Sequence, residues 1–465
     1  MKKYIKLGIL LLMVMFTVFL IALKFSENDN IAEEVETKSK YKLAISNEKE
    51  DVDRQVDIRV LIMTDDFENI FHSKATLKCD SDCKLIYGDK EKIIKAGKTI
   101  NIEPESKYFK KGKIKLVPTN ENAKIELLTI ERQYGNPKYF GSIELDLYDD
   151  KILITNEVSI EEYLYGVVPS EMPSNYEKTA LMVQAVCART YAYSQVLSES
   201  YKKYNAHVDD SVNYQVYNNV EPTEDVIEAV DETCGMIITY ENEPINALFF
   251  STSCGATTIA DIWGNKNFPY IKSVYLSEKK GVDLSKEENF DEFIRKEADT
   301  YDKDYDLYRW SVMMSADELS YSVNKMLPTI DDVKRTYVGE VKDIEIIKRG
   351  KGGIIKTINI KGSEGNVKVR LQSNIRKLFD ISNVTLYDKD GEKTGGFDML
   401  PSGYFVVDKV VKDGKLYFEF IGGGFGHGVG MSQNATRTMA EKGMTYEQII
   451  KFFYNKVEIK NMYEL

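Results

Sequence analysis

The stretch YGVVPSEMPSNYEKTALMVQAVCARTYAYSQVLSE, residues 165–199, marks where the chain changes period. Upstream, residues 56–158 alternate apolar and polar side chains in short bursts, among them VDIRVLIMT, KATLKC, KIKLVP, SIELDLY and KILITN. Turn residues separate the bursts. Alternation of period two predicts strands with one buried face. From Ser174 onward, Tyr176, Ala180, Val183, Cys187, Tyr191 and Ser194 recur at steps of three and four, which predicts a helix. Ser174 and Glu177 have the spacing of a capping box. The abundant small residues suit close packing against another element. Just upstream, SIEEYLYGVV (159–168) is ambiguous and reads at most as a short helix.

Farther along, residues 224–240 read as a helix followed by a strand, and INALFFSTSCG (245–255) as a strand entering a Ser/Gly turn. Helical stretches follow around Asp291–Ala298 and Ala316–Met326. Residues 339–372 form a small β pattern, SNIRKLFDI (373–381) a short helix, and 403–420 two strands. The tail gives two helices split at Gly443, then a strand. The expected class is therefore α+β. An N-terminal β-rich domain (56–158) leads into a core in two parts (159–274 and 376–465), interrupted by a smaller α/β insertion (275–375).

The N-terminus carries Lys2, Lys3 and Lys6 ahead of an uncharged run of 17 residues, Leu7 to Leu23. That length is at the lower edge for a membrane-spanning helix. The exit Ile21-Ala22-Leu23-Lys24 is a poor cleavage site. The expectation is an uncleaved signal anchor over 1–24 and an acidic tether over 25–55. That makes a single-pass protein of the cell membrane, N-terminus cytoplasmic and the bulk extracytoplasmic. The formal net charge of −12 argues against a nucleic-acid partner.

Histidine is scarce: His72, His207 and His427 only. Most multi-histidine metal sites are thereby excluded. Among five cysteines, Cys79 and Cys83 are close enough to pair across a turn, while Cys187, Cys234 and Cys254 are scattered.

Glu171 stands alone in the turn before the predicted helix. A helix N-terminus would favour its ionised form. A general acid at neutral pH needs the opposite shift, which burial against Val167, Val168, Pro169 and Met172 could supply. A two-carboxylate glycosidase needs a second acid across the bond. Glu161 and Glu162 are local, but fit a solvated helix face. One acid/base suffices when the substrate brings its own nucleophile, such as a sugar hydroxyl closing an internal ring.

The segment GGGFGHGVGMSQ (422–433) surrounds His427 with glycine. It lacks the GK[ST] of a phosphate loop. Two readings stand: a glycine-rich turn with a solvated histidine, or a close-fitting loop that presents His427 to a ligand. A third chemistry pairs His427 with Cys254 as nucleophile, for a peptidase or transferase.

The stretch 161–195, the stretch GGGFGHGVGMSQNATRTMAEKGMTYEQIIKFFYNKVEI (422–459), and NYQVYNN, FFSTSCGATT and DIWGN between them resemble the stage II sporulation protein D / LytB family. The resemblance runs over roughly 135–460. It implies a peptidoglycan lytic transglycosylase. Such an enzyme cleaves between N-acetylmuramic acid and N-acetylglucosamine in peptide-stripped glycan and leaves 1,6-anhydro-muramic ends. By the resemblance, Glu171 is the catalytic acid. Gln184, Arg189, Gln215, Tyr217, Ser251, Ser253, Gly426, His427, Ser432 and Gln433 become candidates for the glycan groove, each with packing as the alternative. Some members hold zinc through Cys and His just before the QVY motif. Here Tyr214 stands in the cysteine's place, leaving only His207, Asp209 and Asp210, so no structural metal and no cofactor are expected. A partner amidase and membrane proteins of an engulfment machinery are implied by analogy, as is the rival role of a non-catalytic wall-binding enhancer of an amidase.

Overall fold

The computed structural model describes residues 55–198, 201–218, 220–264, 268–279, 281–331 and 333–465. The bursts of alternation fold into two antiparallel sheets. The larger runs, in spatial order, through Lys90–Ile94, Cys83–Tyr87, Ile114–Pro118, Ser142–Tyr148, Lys151–Ser159, Asp57–Leu61 and the short Val208–Asp209, with Phe71–His72 beside Lys151–Ser159. The short Val208–Asp209 strand alone joins it in parallel. The smaller sheet runs through Thr99–Ile102, Ala75–Cys79, Ile125–Leu127 and Lys138–Tyr139. Alternate residues turn inward, as in Ala75, Leu77 and Cys79, so one face of each strand joins the core. Cys79 and Cys83 form a disulfide.

Among the described residues the α-helices are α1 (Ile160–Glu171), α2 (Lys178–Val196), α3 (Glu224–Glu232), α4 (Glu287–Ile294), α5 (Ala316–Met326), α6 (Gln372–Lys377), α7 (Gln433–Glu441) and α8 (Tyr446–Phe453). The ambiguous stretch after Ser159 is thus a full helix. Ser159 caps it by accepting from the Glu162 amide, and Glu161 and Glu162 fill its first turn, where acids suit the dipole. Glu171 is its last residue. The expected capping box at Ser174 does not form. Residues 173–176 make a turn, closed by the Tyr176 amide on the Pro173 carbonyl, and α2 begins at Lys178 with Glu177 as an N-cap that makes no side-chain bond.

Helix α2 is buried on several sides. Leu181, Ala185 and Ala188 join the cluster of the N-terminal sheets. Val183, Val186 and Cys187 join a second cluster with Ile238, Met431, Ala435 and Ile450. That is why its sequence shows alanine rather than a polar stripe. The first cluster also takes in Leu164, Val168 and Val226, so the N-terminal sheets and the first helices share one core. A third cluster is built on the strands Trp310–Ser315, Phe405–Lys412 and Lys415–Gly422 together with the Val341–Arg349, Ile355–Gly362 and Gly365–Arg370 sheet. It draws on residues well beyond the expected insertion boundary at 375.

The membrane placement needs correction. Among the described residues no helix is long and apolar enough to cross a membrane. The Leu7–Leu23 run, on which the single-pass expectation rested, and the tether up to residue 54 lie outside the described residues. The described fold is a mixed α and β structure without a membrane-spanning helix.

Candidate active site

Three segments converge on Glu171. The first is the end of α1 itself. The second is the 208–218 segment, whose Val216 amide donates to Glu171 Oε1 at 2.8 Å. The third is the start of α7, where Gln433 Nε2 donates to the Glu171 backbone carbonyl at 2.8 Å and to Gln184 Oε1 at 3.3 Å. Glu171 is half-buried. Burial pushes its carboxyl up to about 7, against the opposing pull of the Val216 and Gln433 hydrogen bonds. Its position at the C-terminal end of α1 works in the same direction, since the negative end of the helix dipole disfavours a carboxylate. The expected helix N-terminus, which would have held Glu171 ionised, lies seven residues further on, at Lys178.

Gln184 is fully buried, and its Nε2 has no partner; Gln215 Oε1 is likewise unpaired, while Gln215 Nε2 donates to the Ala188 carbonyl at 3.4 Å. Unsatisfied buried amides cost stability unless a ligand or water completes them. Gln215 lies on the segment whose Val216 amide reaches Glu171, and Gln184 accepts from Gln433, the residue that holds the Glu171 carbonyl.

Other candidates are held by packing. Arg189 is fully buried and pairs with Glu161, the Nη2–Oε2 distance being 2.6 Å, and it also donates to the Val230 and Met236 carbonyls. Tyr217 is buried between Tyr139 and Tyr163, with ring centroids at 5.5 and 4.8 Å. Its hydroxyl donates to Asn156 at 3.3 Å. Ser253 and Ser432 donate to the two oxygens of Asp302 at 2.5 and 2.8 Å. Asp302 is fully buried, and burial raises its carboxyl to about 6. This carboxylate joins the STSCG turn to the N-cap of α7. Ser251 is half-buried, and its carbonyl accepts from the Asn434 amide at 3.1 Å.

The glycine-rich loop is shaped by close backbone approach. Phe249–Phe250 pairs in parallel with Met431–Ser432, and Thr252 bridges to Phe425. Gly424 has φ +81°, and a Cβ there would meet the Thr252 carbonyl and the Cys254 amide nitrogen at 2.9 Å each. Only glycine fits. His427 is half-buried beside Gly426, with Phe250 and Trp263 at ring-centroid distances of 5.6 and 5.2 Å. Its Nδ1 accepts from the Val429 amide at 3.1 Å. Burial lowers its pKa to about 4, so the ring is neutral at pH 7. Among the described residues no hydrogen bond joins Glu171 to His427; the bond to Glu171 comes from Gln433, six positions on at the start of α7.

The cysteine chemistry has little support. Cys254 is fully buried, its thiol is pushed up to about 11, and among the described residues no hydrogen bond joins it to His427. The three candidate metal ligands are committed elsewhere: His207 Nδ1 to the Arg59 amide, Asp209 to Tyr201 and Ser211, and Asp210 to Arg132 and the Met63 amide.

Sequence reasoning missed Asp302, which sits in a charge-rich stretch with no motif around it. It also missed Asn434, whose side chain accepts from Tyr176 at 2.6 Å and donates to Thr252 at 2.8 Å. Asn434 directly follows the Gly-rich segment 422–433, and that adjacency was the signal that could have found it.

Comparison with known proteins matches the segments that carry this geometry. The family model described as Stage II sporulation protein matches residues 148–240, and a domain of unknown function matches 257–430. The stage II sporulation protein D of Bacillus amyloliquefaciens is 29% identical over 65% of this chain and 74% of its own length. That of Bacillus subtilis is 26% identical over 68% and 79%. The amidase enhancer of Bacillus subtilis is 27% identical over 63% of this chain but only 39% of its own length. The segment that carries α1, Glu171, α2 and the Val216 contact is thus the part of the chain that matches the Stage II sporulation protein family model.

Proposed function

We propose that this chain is a lytic transglycosylase of peptidoglycan with a cell-wall role in sporulation, and that Glu171 is its single acid/base. The observation that carries the reading is the Glu171 carboxyl held near pKa 7 in a half-buried position, with no second acid paired to it among the described residues. The Val216 N–H fixes Oε1, so the proton resides best on Oε2, where it does not oppose that donor. Oε2–H protonates the oxygen leaving from C1 of the muramic sugar. The carboxylate so formed then takes the proton of the C6 hydroxyl as its oxygen bonds to C1. One bond breaks, one forms, and Glu171 ends protonated again. The buried amides of Gln184 and Gln215 are suited to hydroxyl or acetamido groups of the glycan.

The decisive measurement is mass spectrometry of products from peptide-free glycan. Wild type should release 1,6-anhydro ends, and Glu171→Ala should release none while keeping the fold. Equal product from the variant would remove Glu171 from the chemistry. The second reading, a non-catalytic enhancer of a partner amidase, draws on the similarity to the amidase enhancer. It predicts glycan binding and faster amidase turnover with no anhydro product from wild type.

A further inference from the structure

Residues 215–218 belong to no helix or strand, yet the Val216 amide sits 2.8 Å from Glu171 Oε1. Something other than a hydrogen-bond ladder holds the segment there. Three consecutive residues of it grip α1. Val216 donates to Glu171, and two positions on the Asn218 amide donates to Ser170 Oγ at 3.3 Å. Ser170 is itself fixed, because its hydroxyl donates to the Gly166 carbonyl at 2.6 Å. Between the two amides stands Tyr217, which goes into the core and is 3% exposed.

The ring of Tyr217 is seated on the backbone of α1 at Gly166. A Cβ on Gly166 would lie 2.5 Å from Tyr217 Cε2 and 3.0 Å from its Cδ2, well inside ordinary carbon–carbon contact. Glycine is disfavoured against alanine within a helix, and here its missing side chain is what admits the ring. Tyr139 and Tyr163 flank the ring at centroid distances of 5.5 and 4.8 Å. The Tyr217 hydroxyl donates to Asn156 Oδ1 at 3.3 Å. Asn156 is fully buried, and its Nδ2 is spent on the carbonyls of Phe140 and Ser142 at 2.8 and 3.1 Å. Two tyrosines, a helix backbone and a buried amide thus fix Tyr217, and its two chain neighbours carry the bonds to Glu171 and Ser170.

We propose that Tyr217 is a positioning residue for Glu171: its ring, seated on Gly166, keeps the Val216 N–H on Oε1 and so leaves Oε2 as the oxygen that carries and delivers the proton. The proposal rests on the reading of Glu171 as the acid/base of glycan cleavage. It gives Tyr217 a role exerted through the chain, without contact with the glycan. Displacing the ring displaces Val216, because the two are adjacent and no ladder holds the segment. A carboxylate that loses the Val216 donor is less stabilised, so its pKa rises. Among the described residues no charged side chain shifts Glu171. The groups near enough to feel its charge are the hydroxyls of Tyr163 on α1 and Tyr191 on α2, and burial keeps both neutral at pH 7. Such a rise therefore reports the lost donor.

The test is carbon-13 NMR of the full chain labelled at its glutamate carboxyls, with the Glu171 signal assigned by its loss in Glu171→Gln. It needs no substrate. Gly166→Ala pushes a methyl group into the ring and should raise the Glu171 pKa by about one to two pH units, the worth of a hydrogen bond to a charged group. The fall of kcat/KM for anhydro-product release should move up by the same interval, which a loss of packing alone would not cause. Tyr217→Leu removes the ring and carries the same prediction should Gly166→Ala not melt cooperatively. In the Tyr217→Leu background, Gly166→Ala should add less than about 0.3 pH unit, because the obstacle is gone. Tyr217→Phe, which keeps the ring on Gly166, should shift the titration least. A Glu171 titration unchanged in folded Gly166→Ala and Tyr217→Leu would overturn the proposal. A fall toward the ordinary glutamate value would overturn it too, since the segment would then be a shield from water and not a donor. Shifts that add in the double variant would overturn it as well, because Gly166 would then act without the ring. The titration and the product assay fail separately: no anhydro product from wild type would remove the glycan reading, while the carboxyl titration would still decide whether Tyr217 holds the Val216 amide in place.

Discussion

At the scale of the residue, Glu171 is a carboxyl whose surroundings disfavour its charge. With a pKa raised to about 7, it is protonated below that pH and able to act as an acid. kcat/KM for anhydro-product release should be level from about pH 5 to 6.5 and fall about tenfold per unit well above 7. A rate that holds constant to about pH 9 would contradict the role. The same shift has a cost in stability. The folded pKa lies above the ordinary glutamate value, so the native state holds a proton that the unfolded state loses between about 4.5 and 7. The contribution of Glu171 is fully present below about 4.5 and is lost as the pH rises through 7. Glu171→Gln should therefore be more stable than wild type at about pH 8, by about 3 kcal/mol, and no more stable near pH 4. Melting curves at the two pH values check this, and a stabilisation that does not change with pH would speak against it.

At the scale of the element, the buried Asp302 joins the STSCG turn to α7. Removing it leaves the Ser253 hydroxyl without its acceptor and the Ser432 hydroxyl with only the Ser251 carbonyl at 3.4 Å. Asp302→Ala should cost about 2–4 kcal/mol in chemical denaturation. Activity should fall too, because Ser432 caps the helix whose first residue, Gln433, holds the Glu171 carbonyl. A stable variant with full activity would show that the hub is dispensable. Legibility differed along these elements for physical reasons. Periodicity marked α2 and the strands, and Ala316–Met326 fell where the pattern put it, with its capping box formed by Ser315 and Glu318. Helix α1 was obscured by Pro169, a residue that removes a helix hydrogen bond and yet lies inside it, two residues before its end at Glu171. The start of α2 was misread because a local Ser/Glu spacing carries no knowledge of the turn at 173–176 or of the Tyr176 bond to Asn434. In the candidate site, Glu171 and the glycine loop were visible as motifs. Asp302 was not, since a single acid becomes special only by the burial and partners that tertiary structure gives it.

At the scale of the whole molecule, the first hydrophobic cluster decides what can fold alone. Sequence pattern suggested a β domain ending at residue 158 and a core beginning at 159. The cluster crosses that point: Ile58, Val60, Ile143, Ile154 and Val158 lie in it with Ile160, Leu164, Val168, Leu181 and Ala185. The buried Arg132–Asp210 pair, at 2.7 Å, ties the N-terminal region to the segment that leads to Val216. A truncated chain beginning at residue 159 would expose the inner faces of α1 and α2 and leave Asp210 buried without its cation, a loss of about 3–5 kcal/mol for the pair alone. It should therefore lack a cooperative melting transition and release no anhydro product, although Glu171, His427 and Gln433 are all present. Circular dichroism with a thermal scan, beside the chain from residue 55, makes the comparison. A truncated chain that melts cooperatively and cleaves glycan would show that the N-terminal sheets are an accessory; failure of both is the expected result if the sheets and the first helices fold as one core.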